Sequence, residues 1–212
     1  MTTANPTGTR GRRTVRPSGD DREIAILATA EELLEQRPFS EISVDDLAKG
    51  AGLSRPTFYF YFSSKDAVLL TLFERVMTEA DAAFDGLAEK LRANREGTTR
   101  TVINVFFETF RSRPGVALAC NAVGQTNPEI RQVWTTFMQK WVDTVADLIE
   151  AERARGAAPV TLPARDLSTA LNLMNQRVFF ASYADEQPSV PAASVLDTLV
   201  HIWISSIWGQ PG

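Results

Sequence analysis

Cysteine and histidine are almost absent from this chain of 212 residues, which contains one of each, Cys120 and His201. A single cysteine excludes an intramolecular disulfide and a multi-cysteine metal site, and it favours a reducing compartment, so we expect a cytoplasmic protein. A single histidine excludes most histidine-rich metal sites and leaves one candidate imidazole base. We therefore predict no metal and no cofactor.

Long apolar runs are missing too. No stretch approaches the roughly 20 apolar residues that a membrane-spanning helix needs, and the N-terminus lacks the apolar segment of a signal peptide. Nucleophile motifs, clusters with metal-ligand spacing and glycine-rich phosphate loops are also absent from the sequence. These absences argue against a membrane partner and against an enzyme, so we predict no catalytic residue.

The chain is slightly acidic overall, but its N-terminus is basic. The net charge is -4, yet residues 1–19 contain four arginines and no acid. Glycine, proline and threonine fill much of this segment, which we interpret as a flexible arm. A cationic arm suggests a polyanionic partner, with Arg12 and Arg13 as candidate DNA contacts, although many terminal segments are basic without a function.

Helical periodicity runs through the remaining sequence, and no segment has the pattern of a strand. We predict an all-α chain of nine helices, three in residues 20–65 and six in residues 66–212. The six cover about 66–91, 97–112, 114–124, 128–155, 164–184 and 191–208. The 66–212 part is expected to be a ligand-binding and dimerisation bundle.

Two short helices before residue 65 are joined by a glycine turn, the arrangement of a helix-turn-helix. Ser43 and Asp46 form a predicted capping box for the first helix, and Ser54 is the predicted cap of the second. Ser63 is expected to cap the long helix that follows. Gly50 and Gly52 are expected to need a positive φ where the first helix ends.

The second short helix contains five consecutive aromatic residues, 58–62, and side chains of the kinds that bind DNA. Hydroxyl, small polar and cationic groups can reach phosphate oxygens and base edges, and here they are Ser54, Arg55, Thr57, Tyr59, Tyr61 and Lys65. Glycine turns between helices are often only structural, so the functional interpretation depends on these side chains.

The stretch "ISVDDLAKGAGLSRPTFYFYFSSKDAVLLTLFE" resembles the DNA-binding segment of the TetR family of bacterial transcriptional regulators. The later stretches "INVFFETF", "TFMQKW", "ALNLMN" and "EQPSV" resemble one branch of that family, the actinobacterial repressors of ethionamide-resistance type. The resemblance implies the nine-helix TetR-type fold and a homodimeric repressor that binds a palindromic operator, with one or several dimers per operator. It also implies release by a hydrophobic small-molecule effector and control of a gene for a flavin-dependent Baeyer–Villiger monooxygenase.

The resemblance also implies roles for the residues of the helix-turn-helix. The N-terminal end of the recognition helix is expected to meet base edges, through Ser54, Arg55, Pro56 and Thr57. Phosphate contacts are expected from Ser43, from the hydroxyls of Tyr59 and Tyr61, and from the ammonium of Lys65. Phe58 and Phe62, four residues apart, are expected to pack inward.

Aromatic and apolar stripes on the later helices predict a ligand chamber. The candidate lining residues are Thr99, Val102, Ile103, Phe106, Phe110, Trp134, Phe137, Met138, Trp141, Val145, Asn172, Asn175, Gln176, Phe179, Phe180 and Trp203. Such stripes are more often ordinary core. Two asparagines among apolar neighbours, however, would be costly to bury without a hydrogen-bond partner, and rigid rings with a few polar groups are typical of ligand pockets. By resemblance, Asn175 would hydrogen-bond a ligand carbonyl.

The last two helices are expected to form a four-helix homodimer interface, to which the first of them contributes Val178 and Ala181. The last helix has more apolar residues than one face needs. These residues are Val195, Leu196, Leu199, Val200, Trp203 and Ile207. Two other classes of function compete with the regulator. An enzyme would depend on His201, which on an apolar helix is more often a core or interface residue. A lipid carrier would explain the chamber but would leave the DNA-binding side chains without a role.

Overall fold

The structure, a computed structural model, describes residues 19–82 and 87–209. All regular elements in these ranges are helical, which confirms the predicted all-α class. The α-helices are α1 (Gly19–Leu34), α2 (Val44–Gly50), α3 (Arg55–Tyr61), α4 (Lys65–Ala82), α5 (Leu87–Ala93), α6 (Arg95–Arg111), α7 (Pro114–Val123), α8 (Pro128–Ala154), α9 (Ala164–Tyr183) and α10 (Ala192–Trp208), with one 3-10 turn at Phe39–Glu41. Arg12, Arg13 and nearly all of the predicted arm lie outside the described residues.

The described residues contain ten α-helices where the sequence predicted nine. The difference lies in the predicted helix 66–91, which corresponds to α4 and α5, with residues 83–86 outside the described part of the chain. The start of α6 is fixed by Asn94, whose Oδ1 accepts from the backbone N–H of Gly97 at 2.9 Å. Asparagine is a favoured N-cap, so this boundary follows from a local signal in the sequence.

Two of the three predicted N-caps in the helix-turn-helix region are confirmed. Ser43 and Asp46 form a reciprocal capping box on α2, and the Ser54 hydroxyl accepts from the N–H of Thr57 on α3. The prediction for Ser63 is wrong, because Ser64 immediately precedes α4 and its Oγ accepts from the N–H of Ala67 at 3.1 Å. Both serines match the cap signal, and the first helical residue decides between them.

The two glycines of the turn have different reasons to be glycine. Gly52 has a φ of 69°, as predicted, which is a conformation that side chains with a Cβ rarely adopt. Gly50 is the last residue of α2, and the prediction of a positive φ there is wrong. A Cβ on Gly50 would lie 2.3 Å from Cγ2 of Thr29, so glycine is needed for the close approach of α2 to α1.

One hydrophobic core runs without interruption from the helix-turn-helix into the bundle. Phe58 of α3 and Val68 and Phe73 of α4 belong to the same buried cluster as Phe110 of α6 and Trp141 of α8. A second cluster joins α6, α8, α9 and α10 around Ile149, Val195 and Leu199. Within the first cluster, α4 packs on α6 and α8 as well as on α1, so it is one helix that links the helix-turn-helix to the bundle interior.

The α1 and α7 helices are held together by polar contacts and close backbone packing. The N–H of Gly115, at the start of α7, donates to the Glu35 carboxylate at 3.1 Å, and a Cβ on Gly115 would lie 2.4 Å from the carbonyl oxygen of Leu34. The Arg113 guanidinium lies 3.3 Å from the Glu31 carboxylate and 2.7 Å from that of Glu79 on α4. The helix-turn-helix region is therefore joined to the bundle through both α4 and α7.

A buried carboxylate closes the end of the bundle where α6 begins and α8 and α10 end. Glu152 is 4% exposed and accepts hydrogen bonds from Arg155 at 2.6 and 2.8 Å and from the Trp208 indole at 2.7 Å. The Arg95 guanidinium lies 3.4 Å from the same carboxylate. Burying a charge is tolerable only with such partners, so this cluster fixes the three helix ends relative to each other.

The apolar residues of α10 that predicted a dimer interface are mostly part of the chain's own core. Val195, Leu199, Val200, Trp203 and Ile207 are all buried within the single chain. These five residues are therefore covered within the chain, where α10 packs on α6 and α9, and only Leu196 of the six is left partly uncovered. No helix in the described ranges is long and apolar enough to cross a membrane.

Candidate nucleic-acid interface and ligand cavity

The five aromatic residues of α3 divide between the core and the surface. Phe58 and Phe62 are buried, as predicted, at 0% and 7% exposure. Tyr59 is about half exposed, Tyr61 packs partly against the core, and Phe60 is 84% exposed. Phe60 therefore contributes almost nothing to the packing of the monomer, although sequence reasoning gave it no role.

Arg55 is held at the start of the recognition helix by two side chains. Its Nη1 donates to Oδ2 of Asp45 on α2 at 3.1 Å, and its Nη2 donates to the Tyr59 hydroxyl at 3.3 Å. The hydrogen bond to Tyr59 and the charge of Asp45 both raise the pKa of Arg55 above its usual value. Arg55 is thus a permanent cation whose side chain is restrained before any partner binds. Asp45 was not among the predicted site residues.

The polar side chains near the first turn of α3 are bonded to each other and remain accessible. Ser54 and Thr57 share a hydrogen bond of 2.8 Å between their hydroxyls, and Pro56 is exposed between them. Ser43 is exposed at the start of α2, where its hydroxyl donates to the Asp46 carboxylate at 2.7 Å. This bond, the Ser43 backbone N–H and the nearby Arg37 lower the pKa of Asp46 to about 2.

Lys65 makes internal contacts that the sequence did not predict. Its Nζ donates to the backbone carbonyls of Phe39 and Ile42, each at 2.8 Å, and lies 4.5 Å from the centre of the Phe39 ring. These bonds use two of the three N–H donors of the ammonium. Lys65 therefore ties the 3-10 turn to the first turn of α4, and one donor remains for a phosphate.

The bundle contains a cavity of about 190 Å³ between α4, α7, α8 and α9. Three of the predicted lining residues, Trp134, Gln176 and Phe180, are in its wall. The rest of the wall was not predicted and consists of Phe73, Ala117, Cys120, Asn121, Gly124, Gln125, Ile130 and Arg131. We call this space the lower cavity. The lining residues on α7 were not predicted, because the sequence of that helix has the pattern of a short apolar core segment.

Nine predicted residues line a second, nearly closed space of about 20 Å³, which we call the upper cavity. They are Val102, Ile103, Phe106, Met138, Trp141, Val145, Asn172, Asn175 and Trp203. A volume of this size holds about one water molecule. The predicted residues are thus brought together, but around a collapsed space rather than an open chamber.

Aromatic rings occupy the region between the two cavities. The ring centre of Phe106 lies 4.9 Å from that of Phe110, 5.8 Å from Phe137 and 5.6 Å from Phe179. Trp134 is 6.0 Å from both Phe110 and Phe137, and 6.1 Å from Phe180. Four residues that were predicted to line the chamber line neither cavity. They are the buried Thr99 of α6 and the three rings of Phe110, Phe137 and Phe179, which lie in this cluster.

Asn175 is buried and has its side-chain oxygen bonded within the protein. The Trp203 indole N–H donates to Oδ1 of Asn175 at 3.0 Å. An indole nitrogen can only donate, so this bond fixes which end of the Asn175 amide is oxygen and directs its NH₂ group elsewhere. Asn172 is half-buried and bonds back to the carbonyl of Ser168 at 2.9 Å. The two predicted asparagines therefore have different surroundings.

Polar groups at the lower cavity are concentrated where α7 meets α8. The Arg131 guanidinium donates to the carbonyls of Gly124 and Gln125 at 3.0 and 2.7 Å, which fixes the end of α7. Cys120 is buried, and burial raises the pKa of its thiol. His201 is exposed on α10, which places it outside the core. Within the described ranges, no group of acidic, histidine and cysteine side chains could hold a metal ion.

Comparison with known proteins identifies the class to which this fold and these surfaces belong. Residues 26–72 match the family described as bacterial regulatory proteins, tetR family, and residues 99–209 match the C-terminal domain of the transcriptional regulator EthR. The chain belongs to the TetR family of bacterial transcriptional regulators, whose members are not enzymes.

Within that family the chain is similar to EthR of mycobacteria. It is 65% identical over 202 residues to the HTH-type transcriptional regulator EthR of Mycobacterium tuberculosis, covering 95% of this chain and 94% of the relative. It is 56% identical over 210 residues to EthR of Mycolicibacterium smegmatis, covering 99% and 97%. A solved regulator from Saccharomonospora viridis, in complex with choline, has the same fold with a TM-score of 0.69, 21% identity and coverage of 88% and 96%.

Proposed function

We propose that this protein is a homodimeric repressor that binds a palindromic operator and releases it when an apolar small molecule fills the bundle. The observation that carries the proposal is the stack of Phe73 on Trp134, whose ring centres are 6.0 Å apart with an angle of 19° between the planes. Both rings line the lower cavity, and Phe73 belongs to α4, the helix that begins at Lys65 beside the recognition helix.

The α2–α3 surface has the groups required for the DNA side of this function. Ser54, Arg55, Pro56 and Thr57 are available for base edges, and the hydroxyls of Ser43, Tyr59 and Tyr61 are available for phosphates. Lys65 has one uncommitted donor and is held by two carbonyls, so it would contribute a positioned charge to the phosphate contacts. Arg12 and Arg13 of the N-terminal segment would add affinity with little sequence preference.

The effector proposed here is mainly apolar and has one carbonyl acceptor. It would enter the lower cavity beside Gln176, part the rings of Phe106, Phe110, Phe137 and Phe179, and occupy the upper cavity. There the Asn175 NH₂ group, oriented by Trp203, would donate to the ligand carbonyl. Thr99 and Val145 would contact the far end of the ligand. Opening the upper cavity exchanges ring–ring contacts for ring–ligand contacts, which limits the cost of the rearrangement.

Filling the cavities would move α4 because Phe73 forms part of the wall. A tilt of α4 changes the separation of the two recognition helices in a dimer, which must fit half-sites about 34–36 Å apart. Deforming DNA to follow a misfit costs several kcal/mol, roughly enough to cause release. By linkage, DNA must weaken effector binding by the same factor by which the effector weakens DNA binding.

The homodimer would use the outer faces of α9 and α10. Leu173 on α9 is 53% exposed, and Val178, Leu196 and Ile204 are only partly covered by the second core cluster. Pairing these faces would bury apolar groups that the single chain leaves in contact with water. One or several such dimers would occupy an operator. Such a repressor acts in the cytoplasm, and its resemblance to the ethionamide-resistance branch supports a flavin-dependent Baeyer–Villiger monooxygenase gene as the target.

A salt titration of DNA binding tests the DNA side of the proposal. The probe is a labelled duplex from the region upstream of the protein's own gene, and the logarithm of affinity is expected to fall linearly with the logarithm of salt concentration. Each lost contact between a cationic side chain and a phosphate should reduce the slope by about 0.9. Tyr59→Phe and Lys65→Ala should weaken binding to all duplexes, whereas Thr57→Ala should change discrimination between them. Equal, salt-independent binding to any duplex would contradict the proposal.

A further inference from the structure

Arg55 differs from an ordinary surface arginine because both helices of the helix-turn-helix hold it. Asp45 contributes a carboxylate from α2, and Tyr59 contributes a hydroxyl one turn further along α3. The Arg55 guanidinium carbon also lies 5.8 Å from the centre of the Tyr59 ring. The Arg55 and Asp45 side chains are 55% and 49% exposed, so the pair lies on the accessible surface rather than in the core.

These contacts leave the guanidinium able to bind a further partner. A guanidinium has five N–H donors in a rigid plane, and Asp45 and Tyr59 use two of them. Guanine presents two acceptors, O6 and N7, on the major-groove edge, and a bidentate arginine matches them. The three remaining donors are sufficient for that interaction without breaking either contact.

A carboxylate at this position has a consequence for non-specific binding. Asp45 repels phosphates, and next to Arg55 it partly cancels the attraction of the guanidinium for any phosphate. Contact with a guanine edge depends on directional hydrogen bonds and is less affected by the loss of net charge. The pair therefore favours reading of a base over attachment to the backbone.

We propose that Asp45 is a specificity-determining positioning residue, which with Tyr59 holds Arg55 so that its guanidinium reads a guanine at one fixed position of each operator half-site. The proposal rests on the proposed function, because it requires an operator. It adds Asp45 to the interface and assigns a base to Arg55.

Selection from a pool of random-sequence duplexes tests the proposal with the full-length protein. The wild type is expected to enrich a palindromic sequence with one guanine fixed in each half-site. Replacing that guanine should weaken wild-type binding about 10-fold or more, the effect of losing a bidentate arginine contact. Arg55→Gln should lose the guanine preference, because an amide matches adenine better. Asp45→Asn should reduce the loss of affinity on replacing the guanine, the guanine penalty, to roughly 3-fold or less, and should strengthen binding to an unrelated duplex.

Glu41→Gln is the matched control for charge. Glu41 is exposed on the 3-10 turn and lines the same surface pocket as Tyr59, so its replacement removes one nearby negative charge without removing a group of the Asp45–Arg55 contact. This variant should strengthen binding to an unrelated duplex but keep the full guanine penalty. Tyr59→Phe removes the second contact to Arg55 together with the proposed phosphate contact of the hydroxyl. It should therefore weaken binding to all duplexes, and it should reduce the guanine penalty less than Asp45→Asn.

The outcomes separate this inference from the proposed function. If the wild type enriches no sequence, the operator itself is excluded, and both ideas fail. If it enriches a site and Asp45→Asn keeps the same guanine with the same penalty, the role of Asp45 is wrong while operator binding stands. If Arg55→Gln retains the guanine, or the enriched half-sites have no fixed guanine, Arg55 is not the reader.

Discussion

The helix-turn-helix and the bundle use aromatic side chains in opposite ways. In the helix-turn-helix, Phe58 is fully buried in the core, and side chains on the nearby surface are already hydrogen-bonded to one another. In the bundle, rings contact each other around a cavity of about 190 Å³ and a second of about 20 Å³. The first region is built to keep one shape, and the second contains space that a ligand can redistribute.

This difference suggests where a signal can arise and where it is only transmitted. Close-packed interiors pass on a displacement with little internal change, whereas a void allows side chains to rearrange locally. Trp134 is at the boundary, because it contacts rings of the bundle and stacks on Phe73 of α4. We therefore expect effector binding to rearrange the bundle and to move the helix-turn-helix as a unit.

The largest expected effect comes from emptying the core of the helix-turn-helix. Phe58→Ala should lower the free energy of unfolding by about 3–5 kcal/mol, because it removes a fully buried ring and leaves a cavity. Phe60→Ala changes the same residue type two positions away, at 84% exposure, and should alter stability by no more than about 0.5 kcal/mol. Urea unfolding measures the free energy of unfolding of both variants, and equal losses of that free energy would show that α3 is not packed as described.

Two alanine-to-leucine substitutions compare filled and empty space directly. Ala80→Leu, on α4, adds atoms at a fully buried position of the first core cluster and should destabilise the protein by about 1–3 kcal/mol through overpacking. Ala117→Leu directs the same added atoms into the lower cavity and should be nearly neutral. Thermal unfolding of the two variants distinguishes them. A large loss from Ala117→Leu would mean that the cavity is not available to added groups.

Asn175→Leu should destabilise the free protein by about 1–3 kcal/mol, because the buried indole N–H of Trp203 loses its acceptor. Effector affinity should fall by a similar amount, roughly 1–3 kcal/mol, since a ligand carbonyl would lose its donor. Calorimetry with an apolar carbonyl compound measures the second effect, and DNA binding without ligand should stay near normal. Asn172→Leu is the control, because Asn172 bonds only within its own helix, and its effects should be smaller.

The smallest effect concerns the capping box of α2 in acid. The Asp46 pKa falls from its usual 3.8 to about 2, so the folded state favours the ionised carboxylate. This contribution to stability is present above pH 3.8 and is lost as the pH falls through about 2. Melting temperatures between these pH values should fall less steeply for Asp46→Asn than for the wild type. Identical slopes would show that Asp46 does not contribute to the loss of stability in acid.

Much of the helix-turn-helix could be predicted from local sequence signals. The capping box at Ser43, the cap at Ser54 and the inward positions of Phe58 and Phe62 depend on spacing within a few residues. The internal bonds of Lys65 could not be foreseen, because its partners at residues 39 and 42 lie more than twenty positions earlier. The choice of Ser64 over Ser63 depended on a one-residue difference in where α4 begins.

The bundle was predicted less completely, because its cavities depend on packing between helices that are far apart in the sequence. Helical periodicity placed nine residues around the upper cavity, but it could not show that the rings had closed that cavity. The wall that α7 gives to the lower cavity was missed, since Ala117 and Cys120 look like ordinary core residues in the sequence. Periodicity also could not separate the apolar face of α10 that packs internally from a face that pairs with a second chain.

The most direct test of the account is a titration of an apolar carbonyl compound into the protein bound to a labelled duplex enriched by selection. Fluorescence anisotropy should show DNA affinity falling by about 10-fold or more for the wild type as the compound binds. Ala117→Leu, which narrows the lower cavity, should lose less DNA affinity than the wild type in the same titration. If calorimetry shows that the compound binds the wild type while DNA affinity stays unchanged, the cavities do not control DNA binding, and the account is wrong.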